Sequence, residues 1–276
     1  MKQGAYGPPI HTHHPWICIY AKVGMASLSM VYLLMGGLTA RAAMGLGGES
    51  SDQKDVLSFL MGQPFGYGLI AAMVVGLGGY SLWRFIQAWV DPSEKGRGPK
   101  GLAIRAGYLI SGSLYAGLAW YGLRLISRDA SGREGEDAKV VAGTLLDQSQ
   151  GQLLMALVAA GLLIAGLVQF YYVLSGTFRK RILNPETRRR HHLLIRWAGS
   201  IGFTARGVVL LIVAYLFWKS GRDANPQEAG GTDGAWGYLQ AMPHGHLLLA
   251  TVALGLAMYG VFAAMQAVSL QDDLAG

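Results

Sequence analysis

Charge is what this sequence has least of. Only 14% of its 276 residues are Asp, Glu, Lys or Arg, against about 25% in a soluble domain, so the chain lacks the polar surface that water would require. It holds one cysteine, Cys18, which excludes an internal disulfide framework and a four-cysteine metal site. No P-loop, H-E-x-x-H, G-x-S-x-G or C-x-x-C occurs, and with them go the commonest nucleotide, protease, esterase and redox signatures. No lysine lies deep in an apolar run, which excludes a retinal Schiff base. No carboxylate does either, which disfavours a proton-coupled carrier of the usual Asp/Glu type. The opening stretch MKQGAYGPPIHTHHPW has no basic segment leading into a short apolar core, so a polar tail is expected and a cleaved signal peptide is not.

Long apolar runs and glycine are abundant instead: 52% of residues are hydrophobic and forty are glycine. A bilayer core about 30 Å thick needs about 20 apolar residues per helix. Six stretches satisfy this, roughly 17–43, 65–90, 103–126, 151–176, 195–218 and 245–269. Turn and breaker residues fall between them: Gly47-Gly48, Asp91-Pro92, Gly98-Pro99, Asn184-Pro185, Asn225-Pro226 and Gly230-Gly231. All sixteen Asp and Glu residues lie outside the six runs.

The basic residues then orient the chain. The N-terminal tail with Lys22, the second loop and the fourth loop together hold twelve Lys and Arg; the first, third and fifth loops hold six, against eleven acidic residues. Basic loops stay cytoplasmic, so both termini are expected on the inner side of the membrane and the acidic loops outside. The segment RKRILNPETRRRHH reads as orientation signal and anionic-lipid contact, and no nucleic-acid partner is expected.

The sequence also repeats itself. PFGYGLIAAMVVGLGGYSLWRFIQA (64–88) aligns without gaps on PHGHLLLATVALGLAMYGVFAAMQA (243–267), and a weaker middle copy keeps Gly151 and Gly161 in register. The odd-numbered helices align as well: Gly24, Gly107 and Gly202 correspond, as do Ser29, Gly112 and Gly207, and Tyr32, Tyr115 and Leu210. Leu60, Leu145 and Leu239 coincide in a short segment before each even-numbered helix, where an interfacial helix is predicted. The expected organisation is a cytoplasmic tail over 1–16 and three two-helix repeats over 17–92, 101–178 and 193–270. With two spans per copy, all copies enter from the same side, unlike the inverted repeats of many transporters. The predicted fold is therefore an all-α membrane protein of six spans, its three parallel hairpins closing into a pseudo-threefold bundle with short interfacial helices in the outer loops.

These residues resemble the domain of unknown function 1206 family. The match rests on Arg105-Ala-Gly107-Tyr108 at an odd-helix start, Pro64-Phe65-Gly66, the run Gly76, Tyr80, Trp83, Arg84, Gln87 to Asp91-Pro92, and GFTARGVV from Gly202 to Val209. The resemblance spans about Ile19 to Ala267 and implies a six-helix bacterial membrane protein with no assigned activity. The middle repeat departs from the pattern, with Ala165, Val168 and Gln169 where tyrosine, tryptophan and arginine stand in the first.

Two charged residues alone fall well inside a span, Arg84 and Arg206. An arginine there costs about 2.5–3.5 kcal/mol on insertion scales and marks a function or a partner. One reading makes them anion- or lipid-binding; the other has each snorkel to the inner headgroups or cap backbone carbonyls. Gly76, Tyr80, Arg84 and Gln87 share a helix face by spacing, repeated as Gly255, Tyr259, Ala263 and Gln266. Tyr80, Gln87, Tyr259 and Gln266 are expected to form a polar face inside the bundle, and Gly76, Gly161 and Gly255 to be close-packing contacts. The seven histidines (His11, His13, His14, His191, His192, His244 and His246) include no pair suited to a buried haem. Neither metal nor cofactor is expected. Most tryptophans, among them Trp16, Trp83, Trp89, Trp120, Trp197 and Trp218, sit near span ends as a belt. No acid, base and nucleophile converge, so the reading is a non-catalytic scaffold, accessory subunit or lipid-interacting module. Its expected partners are membrane lipids, anionic ones included, and a protein partner or second copy in the membrane. The alternative is a passive channel or carrier for a small or anionic solute along the pseudo-threefold axis.

Overall fold

A computed structural model describes residues 15–48, 50–91, 96, 98–127, 137–182 and 189–272. Among them the secondary structure is helical throughout, in nine α-helices: α1 Pro15–Ala43, α2 Gln53–Met61, α3 Gly66–Trp89, α4 Pro99–Ile126, α5 Asp137–Leu146, α6 Gly151–Ser175, α7 His192–Arg222, α8 Thr232–Gln240 and α9 Gly245–Asp272. Single 3₁₀ turns lie at Thr177–Arg181 and Pro226–Glu228. Five helices are long and apolar enough to cross a membrane: α1 over Lys22–Ala43, α3, α6, α7, and α9 over Gly245–Ser269. The third expected span forms α4, which has the length, at 28 residues. Its serines, tyrosines and glycines, with Arg105 and Arg124, dilute its apolar character.

The short helices α2, α5 and α8 stand where Leu60, Leu145 and Leu239 placed them, each before a long even-repeat helix. One turn serves all three entries. The N–H groups of Gly66, Gly151 and Gly245 donate to Gln63, Gln148 and Met242 carbonyls, at 2.9 Å each. A Cβ on Gly66 would stand 2.5 Å from the Leu60 oxygen, on Gly151 2.6 Å from the Leu146 Cα, and on Gly245 2.6 Å from the Leu239 oxygen. Glycine is required because the chain folds back against the carbonyl end of the short helix. In the first and third copies the preceding residue, Phe65 or His244, is left-handed (φ 64° and 60°).

Packing between the long helices follows the repeat. The second helix of each copy packs on the first helix of another: α3 on α4, α6 on α7, α9 on α1. The same small residues mediate each contact. The Ser81 hydroxyl donates to the Gly112 carbonyl at 2.7 Å and the Ser29 hydroxyl to the Gly260 carbonyl at 2.8 Å. At the equivalent place a Cβ on Gly166 would lie 3.3 Å from the Gly207 carbonyl oxygen. Small side chains let backbones approach where apolar lipid offers no hydrophobic drive to association.

Contacts within a copy differ. A Cβ on Gly24 would lie 2.6 Å from the Tyr80 Cβ, and one on Gly202 2.5 Å from the Tyr259 Cα; α1 thus packs on α3, and α7 on α9. No comparable contact joins α4 to α6. Gly107, the counterpart of Gly24 and Gly202, meets nothing within 4 Å. The helices therefore run α4, α3, α1, α9, α7, α6 in contact, and the ends of this arc belong to one hairpin.

Candidate functional site

The two embedded arginines lie on the inner face of this arc, each in an aromatic setting. On α3, the i−4 and i+3 spacings bring Tyr80 and Gln87 onto the side of Arg84. The Arg84 guanidinium donates to the Tyr80 hydroxyl and to Gln87 Oε1 at 3.1 Å. It also lies 4.8 Å from the Tyr80 ring centre and 5.3 Å from that of Tyr108 on α4. Its Nε is buried with no hydrogen-bond partner. Arg84 therefore does not snorkel; it ties α3 to α4.

Arg206 is held differently. Its guanidinium carbon lies 4.4 Å from the Tyr259 ring centre and 5.3 Å from that of Tyr32. Tyr80 and Tyr115 are also within electrostatic range. Two such ring contacts contribute about 0.5–2 kcal/mol each, enough to offset much of the cost of placing the charge there. Stacking uses the faces of the guanidinium and leaves its in-plane N–H groups to donate. Among the described residues no hydrogen bond or ion pair engages them. The residue lies fourteen positions from the start of α7 at His192 and sixteen from its end at Arg222. That is about 21–24 Å along the axis from either helix end. The side chain is caged between α1 and α9.

The tyrosines are paired by the repeat. Tyr32 meets Tyr259 edge-on, ring centres 4.8 Å apart at 72°. Tyr80 meets Tyr115 in the same way, at 4.9 Å and 84°. Each pair joins the second helix of one copy to the first helix of another, at corresponding positions. The third such interface has Ala165 and Leu210 instead. Four helices thus bring a tyrosine to these pairs, α7 supplies Arg206, and α6 has Ala165 at the position of Tyr80 and Tyr259 while its Tyr172 meets Phe203 edge-on at 5.8 Å.

Of the polar face expected from spacing, Tyr80 and Tyr259 are buried, at 5% and 4% exposure. Gln87 is engaged by Arg84, and Gln266, half-buried, faces Ala263 where its counterpart has the arginine. A Cβ on Gly76 would meet Ser27 Oγ at 2.6 Å, and one on Gly255 would meet Ala205 Cβ at 2.5 Å. Gly161 is placed differently. It is exposed and meets nothing within 4 Å, because α4 does not come up against α6. His191, His192, His244 and His246 are exposed, and His11, His13, His14 and Trp16 lie outside the residues whose side chains are described. Trp89, Trp120, Trp197 and Trp218 are exposed near helix ends. Spacing alone did not single out Tyr32 and Tyr115 as site residues, although their mutual correspondence was a usable signal. Tyr108 was visible only as part of a motif.

Beside this site, α2 is capped by Asp52, whose carboxylate accepts from the Lys54 and Asp55 N–H groups at 2.7 and 2.9 Å. Burial pushes this carboxyl up to about 6, against the pull of the two N–H donors and with some help from Asp55 and Asp233. Trp236, fully buried, donates its indole N–H to the adjacent Ser51 carbonyl at 3.0 Å and ties α8 to this loop. Among the described residues no three His, Cys, Asp or Glu side chains gather as metal ligands.

These features define a helical membrane protein of repeated hairpins with an arginine–tyrosine interior. The chain belongs to the family described as Domain of Unknown Function (DUF1206), whose family model matches it three times, over residues 23–91, 106–176 and 201–269. It is also similar to the uncharacterized protein YxxB of Bacillus subtilis (strain 168), 30% identical over 254 residues that cover 92% of this chain and 91% of the relative. No solved structure matches it.

Proposed function

We propose that this protein is a non-catalytic, lipid-interacting module of a bacterial cytoplasmic membrane. All six long helices span, both termini are cytoplasmic, and the three hairpins stand in a pseudo-threefold arrangement open at one seam. The recurrent contacts at Ser81–Gly112, Gly166–Gly207 and Ser29–Gly260 support the arrangement, and the basic second and fourth loops support the orientation.

One observation carries the lipid reading. Gly24, Gly202, Gly76 and Gly255 are buried in helix contacts, while Gly107 and Gly161, at corresponding positions on α4 and α6, are exposed with open space beside them. A hairpin whose two helices do not pack on each other offers the bilayer a lateral way into a polar interior, and acyl chains are the groups present to fill it. A scaffold with no such role has no need of a seam in a bundle otherwise closed by small residues. Native mass spectrometry of the detergent-extracted protein is expected to show retained phospholipid, and Gly161→Phe, which fills the seam, is expected to lower its occupancy several-fold. Protein that carries no phospholipid in either form contradicts the reading.

A further inference from the structure

We infer that Arg206, and not Arg84, anchors a phosphate-class oxyanion, delivered through the α4–α6 seam as the headgroup of an anionic phospholipid; this rests on the lipid-interacting reading above. The two arginines look equivalent in sequence, and the structure separates them. Arg84 donates from both terminal nitrogens to Tyr80 and Gln87 on its own helix and keeps only its buried Nε–H unpaired. Arg206 offers only its faces to Tyr259 and Tyr32 and donates to no described acceptor.

Charge balance requires an anion rather than a neutral ligand. No Asp or Glu occurs in any of the six apolar runs, and among the described residues the ion pairs involve neither arginine; a guanidinium in a low-dielectric setting binds oxyanions through paired N–H donors. The tyrosine hydroxyls around it are further donors. The way in is equally constrained. Four helices place a tyrosine around Arg206, whereas α6 places Ala165 at the position that Tyr80 and Tyr259 occupy in the other copies. The cage is thin on the side where Gly107 and Gly161 leave the seam open. The departure of the middle copy from the repeat thus forms the entrance.

The test uses the full chain in nanodiscs of phosphatidylcholine with or without phosphatidylglycerol, read by native mass spectrometry after ejection. A parallel arm titrates inorganic phosphate in detergent and follows the melting temperature. Wild type is expected to retain phosphatidylglycerol over phosphatidylcholine by about tenfold. Arg206→Gln is expected to lose that preference while still carrying lipid, Arg206→Lys to keep part of it, and Arg84→Gln to keep it whole. If inorganic phosphate stabilises wild type but not Arg206→Gln, and no lipid preference exists, the oxyanion site stands and the lipid reading falls. An undiminished preference in a monodisperse Arg206→Gln protein, or its loss in Arg84→Gln instead, overturns the assignment. So does the absence of both lipid preference and phosphate stabilisation in wild type.

Discussion

At the scale of single residues, two embedded arginines have different surroundings, and different consequences follow. Arg84 bonds Tyr80 and Gln87 on its own helix and reaches α4 through the ring of Tyr108, so Arg84→Gln is expected to lower thermal stability in detergent by the equivalent of about 1–3 kcal/mol, the usual cost of breaking a charged, part-buried hydrogen-bond set. Asp52 provides a pH-dependent counterpart. Its carboxyl titrates at about 6, above its usual range, so between roughly pH 4 and 6 the folded protein holds a proton that the unfolded chain has released. This contribution to stability is present at low pH and is lost as pH rises through 6. Asp52→Asn keeps the cap and removes the charge. Melting curves should show it about 1–2 kcal/mol more stable than wild type at pH 7.5 after allowance for partial exposure, with the gain shrinking at pH 5; a gain equal at both values sinks this account of the site. The existence of Arg84 and Arg206 as embedded charges was legible from the sequence. Their difference was not, because hydrogen-bond partners come from side-chain direction, and helix spacing places Tyr80 beside Arg84 without saying what stands opposite Arg206.

At the scale of elements, glycine position separates packed helices from open ones. Small-to-large changes at packed sites force backbones apart and cost about 1–3 kcal/mol or more. Gly202→Leu is expected to do this, since its side chain would enter the Tyr259 backbone. Gly107→Leu, at the corresponding position of α4, meets open space and is expected to leave the melting temperature within a degree or two. A shared large loss would show that α4 packs on α6 in the membrane. The repeat was readable because Gly24, Gly107 and Gly202 align, and alignment predicted like roles. Contact depends on the partner as well, and with Ala165, Val168 and Gln169 the middle copy has lost the face that its siblings present. The three helix entries at Gly66, Gly151 and Gly245 were fully legible, since one local turn determines each of them.

At the scale of the whole molecule, charge distribution sets how the protein lies in its membrane. Single cysteines introduced as Arg97→Cys in the second loop and Glu134→Cys in the third, in a Cys18→Ser background, are expected to label from opposite sides of sealed vesicles, the first from the cytoplasmic side. Labelling of both from one side would remove α4 from the set of spans. The helical class, the hairpin repeat and the short helices before each second long helix were all legible from hydropathy and self-alignment. Closure was not, because it depends on which hairpins pack internally, and two of three do.

The open seam is the claim on which the account turns, and disulfide cross-linking in native membranes tests it most directly. Corresponding cysteine pairs replace Val23 and Gly76, Ile201 and Gly255, and Ala106 and Gly161, again with Cys18→Ser. In the first two pairs the native side chain already lies 3.0 and 3.7 Å from the position of a Cβ on the glycine, within the reach of a disulfide. The account predicts efficient oxidation of the first two pairs and little of the third. Equal cross-linking of all three would mean that α4 and α6 close on each other, and the lateral entrance would not exist.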